Sequence, residues 1–241
     1  KENIYILLNH PEAFEQISKG DLMKVDFNGL ALEILNKDSE YSCEANVISS
    51  GSIRINRAVD INSKSLNLSV LTSFDKYAIN YAKSRGTKEV YASFISNASQ
   101  AKYVKDLIGE KINLISKIET AFGVSNINEI IEISDKILVD RGDLSREISI
   151  PSVPIAVFNI LNLAKNKSDI LIATNVLDSM MSSNIPSRAE ISDIFSHLRA
   201  GASGIVLAAE VAIGKNPNIS DNNSKGKDKN TSTDKGKDFK L

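Results

Sequence analysis

Lys117 and Glu119 stand two residues apart in the run Ile115-Ser116-Lys117-Ile118-Glu119. In a β-strand, residues at that spacing share one face. An ammonium and a carboxylate at the end of a buried strand are costly unless paired or bound to an ion. Two readings are open. One is a Lys–Glu pair that closes the rim of a β/α barrel. The other is part of an active site, which such barrels carry at the C-terminal ends of their strands. Asp140-Arg141-Gly142-Asp143-Leu144 ends the next strand-like run. Gly142 lets backbone approach a ligand closely, and Asp143 presents a hard oxygen suited to Mg²⁺; the plain reading is an Asp-Gly turn. Glu119 and Asp143, at neighbouring strand ends, could share one metal ion. Thr174 places a hydroxyl after a further strand, where most such hydroxyls are helix caps.

These residues need a scaffold, and the pattern around them is β-α alternation. Apolar, strand-like runs fall at 89–95, 113–118, 136–139, 169–173 and 204–209, with Ile4–Asn9 as a sixth candidate. Helical spacing covers Phe74–Lys83, Ala98–Gly109, Asn126–Ile133, Val153–Ala164 and Ser187–Ala200, the last opened by a capping box, Ser187-Arg188-Ala189-Glu190. Continuous apolar strands between helices predict an α/β fold with a parallel sheet covered on its faces. Alternation alone does not separate a closed barrel from an open doubly wound sheet. The absence of Gly-x-Gly-x-x-Gly after the first strand counts against dinucleotide binding.

The earlier residues read differently. Leu22–Phe27 and Leu30–Leu35 flank Asn28-Gly29, a two-residue hairpin signal. Tyr41–Ile48 and Ile53–Ile61 follow, so a small antiparallel β domain is expected at 12–64. From Asn216 onward, Asn, Ser, Lys, Asp, Gly and Thr predominate. Such a segment has too little apolar surface to offset the entropy of ordering it, and 218–241 is expected to be a disordered low-complexity tail.

Composition narrows the function. The chain has 241 residues, 42% apolar and 24% charged, ordinary for a globular protein, with 29 basic against 30 acidic side chains. This near balance gives no basic excess for nucleic acid or an anionic membrane. No apolar run approaches the roughly 20 residues of a membrane span, and no signal peptide is recognised. The single cysteine, Cys43, rules out a disulfide framework within the chain and reads as a small core residue. His10 and His197 are too few and too distant in sequence to suggest zinc. A cytoplasmic location is expected, with an organelle such as a plastid also compatible. Because the chain opens on Lys1 rather than Met, its true N-terminus is expected to lie upstream.

Taken together, several runs resemble the pyruvate kinase family in order and spacing. They are Ile115–Glu119, Gly123-Val124, Arg141–Leu144, Ala173-Thr174 through Ser179-Met180, Pro186–Glu190 with Asp193, and Glu210 with Gly214. Residues 22–60 are similar to the later half of that family's lid domain, including Val25-Asp26 and Asn28-Gly29. The resemblance runs over roughly 20–217. It implies part of a (β/α)8 TIM-type barrel (1–11 and 65–217) with a small, shortened antiparallel β lid domain inserted at 12–64. It implies transfer of the phosphoryl group of phosphoenolpyruvate to ADP, giving pyruvate and ATP in glycolysis, with Mg²⁺ or Mn²⁺ and, in the family, K⁺. Lys117 would neutralise charge on the phosphoryl group, Glu119 and Asp143 would hold the divalent ion, and Thr174 would sit beside the protonated enolate carbon. Arg141, Gly142, Asp143 and Thr174 would line the substrate, the Gly142 and Asp143 amides holding its carboxylate. A homo-oligomer is implied, with no nucleic-acid or membrane partner.

The chain also departs from the family. Asp140 replaces the usual Ala, Ser145 a Gly and Asn175 a Gln, and Ala208-Ala209-Glu210-Val211-Ala212 replaces Ser-Gly-Glu-Thr-Ala. The first barrel strands, with their Arg and K⁺ ligands, have no clear counterpart; if Ile4–Asn9 is a remnant of one, Asn9 stands in place of an Asp. No counterpart of the family's C-terminal regulatory domain is expected within these 241 residues, and the tail begins where the eighth helix should be. On that count the chain alone is expected to be a poor enzyme that oligomerises or aggregates through an open sheet edge. Two rivals follow: a catalytically impaired homologue acting as a regulatory or structural subunit, and another Mg²⁺-dependent barrel using a pyruvate enolate. Deleting Asn218–Leu241 should leave the melting temperature nearly unchanged; a drop of several degrees would show that the tail packs.

Overall fold

The computed structural model describes residues 6–8, 11–25, 29–53, 59–61, 66, 68–165 and 167–215. The low-complexity tail and Asn9 lie outside the described residues. Two compact units divide at Thr72/Ser73.

The first unit begins with α1 (Pro11–Gln16) and carries four antiparallel strands: β1 (Leu22–Val25), β2 (Leu30–Lys37), β3 (Cys43–Ser49) and β4 (Val59–Ile61), in the order β3-β2-β1-β4. Side chains alternate across a strand. Met23 and Val25 on β1, and Leu30, Leu32 and Ile34 on β2, therefore turn to one face and form a core with Ile17. Ile6 and Leu8, in the stretch considered as a sixth barrel strand, take no strand conformation and pack against this core. Val25 pairs with Leu30; Asn28 of the expected Asn-Gly turn lies outside the described residues. Gly29 there has φ +79, a conformation that costs glycine nothing. Cys43 packs against the same core. Burial, and then the Asp38 carboxylate, push its thiol up, the opposite of what a nucleophile needs.

The second unit alternates strands and helices. Its elements are α2 (Ser73–Ser84), β5 (Glu89–Ala92), α3 (Ala98–Ile108), β6 (Asn113–Ile118), α4 (Ala121–Ser125), α5 (Ile127–Ile131) and β7 (Lys136–Asp140). There follow α6 (Arg141–Glu147), α7 (Ser152–Ala164), β8 (Asp169–Ala173), a 3-10 turn (Asp178–Met181), α8 (Arg188–Arg199), β9 (Gly204–Val206) and α9 (Ala209–Ala212). The five strands are parallel and ordered β5-β6-β7-β8-β9. Chain order and sheet order coincide, so the sheet winds in one direction. A doubly wound sheet reverses direction at a switch point; a β/α barrel does not. The unit is thus part of a β/α barrel, and the chain combines it with a small antiparallel β unit.

Burial explains the apolar strands. Leu114, Ile115 and Ile118 on β6, and Ile137, Leu138 and Val139 on β7, are almost wholly inaccessible. The most apolar helix, α7, buries Val153, Ala156, Val157, Ile160, Leu161 and Ala164. Helix α8 carries both halves of the expected capping box, Ser187 accepting from the Glu190 amide and Glu190 from the Ser187 amide. Four short helices were not foreseen: α1, α4, α9, and α6, which starts where an Asp-Gly turn had been an alternative. Among the described residues no single helix is long and apolar enough to cross a membrane; α6 and α7 pass that test only as a pair bent by 119°.

Gly123 is fixed by close approach. A Cβ on Gly123 in α4 would lie 2.9 Å from the Ile95 carbonyl oxygen, and 3.3 Å from Ile118 Cγ2 and Thr120 Oγ1. Gly123→Ala should destabilise the chain by about 1–3 kcal/mol through overpacking, read from the midpoint of urea unfolding; an unchanged midpoint would contradict the packing described.

Candidate functional site

Parallel register sets the site. Ile118 pairs with Val139, and Asp140 with Ala173. Glu119, Asp140 and Thr174 therefore leave the sheet on the same rim, at the C-terminal ends of β6, β7 and β8.

Lys117 and Glu119 share a face, as their spacing predicts. Lys117 Nζ lies 2.6 Å from Glu119 Oε1 and 3.1 Å from Asp140 Oδ2. Glu119 is 1% exposed, and its Oε2 accepts the Phe94 amide at 2.5 Å. Phe94 holds that amide in place with φ +57, a left-handed conformation uncommon outside glycine. Burial pushes the Glu119 carboxyl up, against hydrogen bonds from Lys117 and Phe94 that pull it down. Burial also works against the Lys117 charge, but the hydrogen bonds and attraction of Glu119 and Asp140 outweigh it and raise the ammonium's pKa. Lys117 is a fixed cation.

Thr174 sits on strained backbone. Thr174 has φ +63 and Asn175 φ +51. Such conformations cost on the order of 1–3 kcal/mol each and persist only when their surroundings enforce them. The enforcing group is Arg141. Its Nη2 donates to the carbonyls of Thr174 at 2.9 Å and Asn175 at 3.0 Å, and its Nε to Thr174 O at 3.2 Å. Arg141 Nη1 is anchored in turn on Asp193 of α8 at 2.5 Å. Arg141 was expected to line the substrate; in the structure its guanidinium donors meet this turn and Asp193 of α8. The Thr174 hydroxyl accepts the Gly142 amide at 2.7 Å and lies 2.9 Å from Asp140 Oδ1 and 2.7 Å from the Ala173 carbonyl, to which it can donate. A Cβ on Gly142 would come within 3.1 Å of that hydroxyl, so the missing side chain is what lets the two strand ends close.

Asp143, in the first turn of α6, lies 3.4 Å from Arg146 Nη1. Glu119, Asp140 and Asp143 each offer a carboxylate oxygen, and these oxygens all lie within 4.8 Å of one another. Hard oxygens gathered this closely fit Mg²⁺ or Mn²⁺. Glu119 also fits chemically, since a cation would relieve the burial that disfavours its charge. The structure thus gathers Lys117, Glu119, Gly142, Asp143 and Thr174, and adds a carboxylate not expected as a ligand, Asp140. Its only signal in the sequence was that Asp stands where the similar family has Ala.

Two further carboxylates organise the connection after Thr174. Glu210 is buried and accepts the Leu177 amide at 3.1 Å and the Ala208 amide at 2.8 Å. Glu190 accepts the Ser179 amide at 2.7 Å and the Ser179 hydroxyl. Behind Arg141, His197 is 3% exposed and packs on the Phe158 ring, with Nε2 3.1 Å from Asp193 Oδ1.

Residues 1–220 match the family described as pyruvate kinase, barrel domain. Pyruvate kinase 2 of Trypanosoma brucei brucei is 32% identical over 222 residues, covering 90% of this chain and 44% of the relative. Pyruvate kinase of Thermotoga maritima is 33% identical over 208 residues, 84% of this chain and 44% of the relative. Pyruvate kinase isozyme G, chloroplastic, of Nicotiana tabacum is 31% identical over 217 residues, 88% and 38%. The chain therefore spans less than half the length of these relatives.

The Arg141 anchor has a pH signature. Burial works to raise the Asp193 carboxyl, but hydrogen bonds from His197 and Arg141 outweigh it and bring it from 3.8 to about 2. A carboxyl depressed by folding stabilises the fold above its unfolded pKa, and that contribution is lost as pH falls through the folded value. Asp193→Asn should lower the melting temperature at neutral pH, and its gap from the wild type should close between about pH 4 and pH 2. A gap that stays constant over that window would contradict the ion pair.

Proposed function

The chain belongs to the pyruvate kinase family, and from that premise we propose that its rim site handles phosphoenolpyruvate and ADP, moving the phosphoryl group to ADP to give pyruvate and ATP. One observation carries the reading. A fixed cation, Lys117, stands within ion-pair distance of Glu119 and Asp140, and the Thr174 hydroxyl lies on the same rim, hydrogen-bonded to Asp140. Phosphoryl transfer asks the protein for little covalent chemistry and much positioning and charge neutralisation.

In this reading the bond from phosphorus to the enol oxygen breaks and a bond to the terminal oxygen of ADP forms. The enolate left behind takes a proton at carbon and becomes pyruvate. Lys117 neutralises charge on the phosphoryl group in flight. Thr174 faces the enolate carbon, its hydroxyl oriented by the Gly142 amide. Of the two amides expected at the substrate carboxylate, that of Asp143 faces it, while that of Gly142 is engaged by the Thr174 hydroxyl. Arg141 acts at one remove, holding the Thr174 turn. Glu119 and Asp143 would hold a Mg²⁺ or Mn²⁺ ion, which supplies positive charge to the phosphoryl oxygens when bound. K⁺ belongs to the family's requirements, with no ligand set assigned in this chain. The proposal includes the roles of β lid and barrel for the two units, a homo-oligomer, and a cytoplasmic location with a plastid as the alternative. An impaired homologue serving as a regulatory subunit is the second reading, favoured by the crowding of Lys117 with two carboxylates.

A coupled pyruvate assay in Mg²⁺ and K⁺ tests the proposal. In protein that a melt shows to be folded, Lys117→Met should abolish turnover, a loss of about 3–4 kcal/mol or more in the barrier; turnover within a few-fold of wild type would sink the assignment. Mn²⁺ titration followed by water proton relaxation should show one site, weakened by Glu119→Gln and by Asp143→Asn. Unchanged affinity in both variants would refute the shared ion.

A further inference from the structure

We propose that Asp140 is a built-in competitor for the anionic substrate: its carboxylate engages the two groups that would otherwise receive the substrate, and it lowers the affinity of the site for phosphoenolpyruvate. The inference rests on the function proposed above and goes beyond it, because it assigns a specificity-determining role to a residue that the reaction itself does not require.

The geometry is specific. Asp140 ends β7 and is 5% exposed. Its Oδ2 lies 3.1 Å from Lys117 Nζ, and its Oδ1 lies 2.9 Å from Thr174 Oγ1. Lys117 and Thr174 are assigned to opposite ends of one reacting molecule, the phosphoryl group and the enolate carbon. A single internal carboxylate therefore bridges both contacts.

Neither contact needs Asp140 for its own integrity. Lys117 keeps Glu119 at 2.6 Å. Thr174 keeps the Gly142 amide and the Ala173 carbonyl as partners, and Arg141 still holds its turn. What Asp140 adds is a negative charge and occupancy of two donors. Two cations, Lys117 and Arg146, stand against the three carboxylates of Glu119, Asp140 and Asp143, a net formal charge of −1. A divalent cation brings that set to +1; without Asp140 it would stand at +2. An anionic substrate is drawn more strongly to the second arrangement. The metal responds in the opposite sense, since three carboxylates within reach of one another attract a cation more strongly than two.

The test is binding without turnover, on the 241-residue chain with ADP withheld. Phosphoenolpyruvate is titrated by calorimetry in saturating Mn²⁺ into wild type, Asp140→Ala and Asp140→Asn. Mn²⁺ affinity is measured separately by water proton relaxation, and a melt checks that each variant is folded. Asp140→Ala should bind phosphoenolpyruvate at least about tenfold more tightly and Mn²⁺ more weakly. Asp140→Asn keeps the shape and removes the charge, so it should also tighten phosphoenolpyruvate binding, and it carries the test if the alanine variant fails to fold. Equal or weaker phosphoenolpyruvate binding in the folded variants, with binding present in wild type, overturns the role of Asp140 and leaves the proposed function standing. Binding in none of the three overturns both.

Discussion

A carboxylate with 1% exposure cannot remain charged at a barrel rim without partners, and Glu119 is the residue on which this rim depends. Lys117 meets one of its oxygens and the Phe94 amide the other. The requirement reaches backwards into the fold. It accounts for a left-handed Phe94, which aims an amide from the connection after β5 at a group at the end of β6. It also keeps Lys117 in place, since an ammonium on a buried strand face needs the same pair. The residues that look most catalytic are therefore bound into the structure before any ligand arrives. That is the preorganisation which electrostatic catalysis relies on.

A second device holds the hydroxyl. Two successive left-handed residues, one of them β-branched, would not persist on local preference. Arg141 binds their carbonyls from the strand end beside them, and Asp193 holds Arg141 from α8. Helix α8 thus contributes to the position of Thr174 through Arg141. The capping box that starts α8 belongs to the same arrangement, because Glu190 also binds Ser179 in the intervening segment.

Period-two spacing put Lys117 and Glu119 on one face, and the β-α alternation, the capping box of α8 and the parallel strands were equally legible. These are local patterns. The direction of winding was not, because alternation is the same for a barrel and an open sheet; only the strand order separates them. Helix α6 was obscured by the glycine and aspartates of Asp140–Asp143, which also spell a turn. The left-handed Thr174 had no signal, since threonine is among the residues least suited to positive φ. Asp140 was visible as a substitution, but its meaning needed Lys117 and Thr174 in space. The contact of Arg141 with Asp193, 52 residues on, is not a local pattern and was not legible.

The coincidence of chain order with sheet order also bears on how this rim comes into being. Each strand pairs with the next one made, and Thr174 and Asp140 lie only 34 residues apart. The entropy of closing a loop rises slowly with its length, and domains built from near-neighbour pairings fold faster than those needing distant ones. The candidate site is therefore a short-range object. Three consecutive β-α repeats bring its charged groups together, so the site asks that neighbouring repeats dock, and not that the two ends of the chain meet.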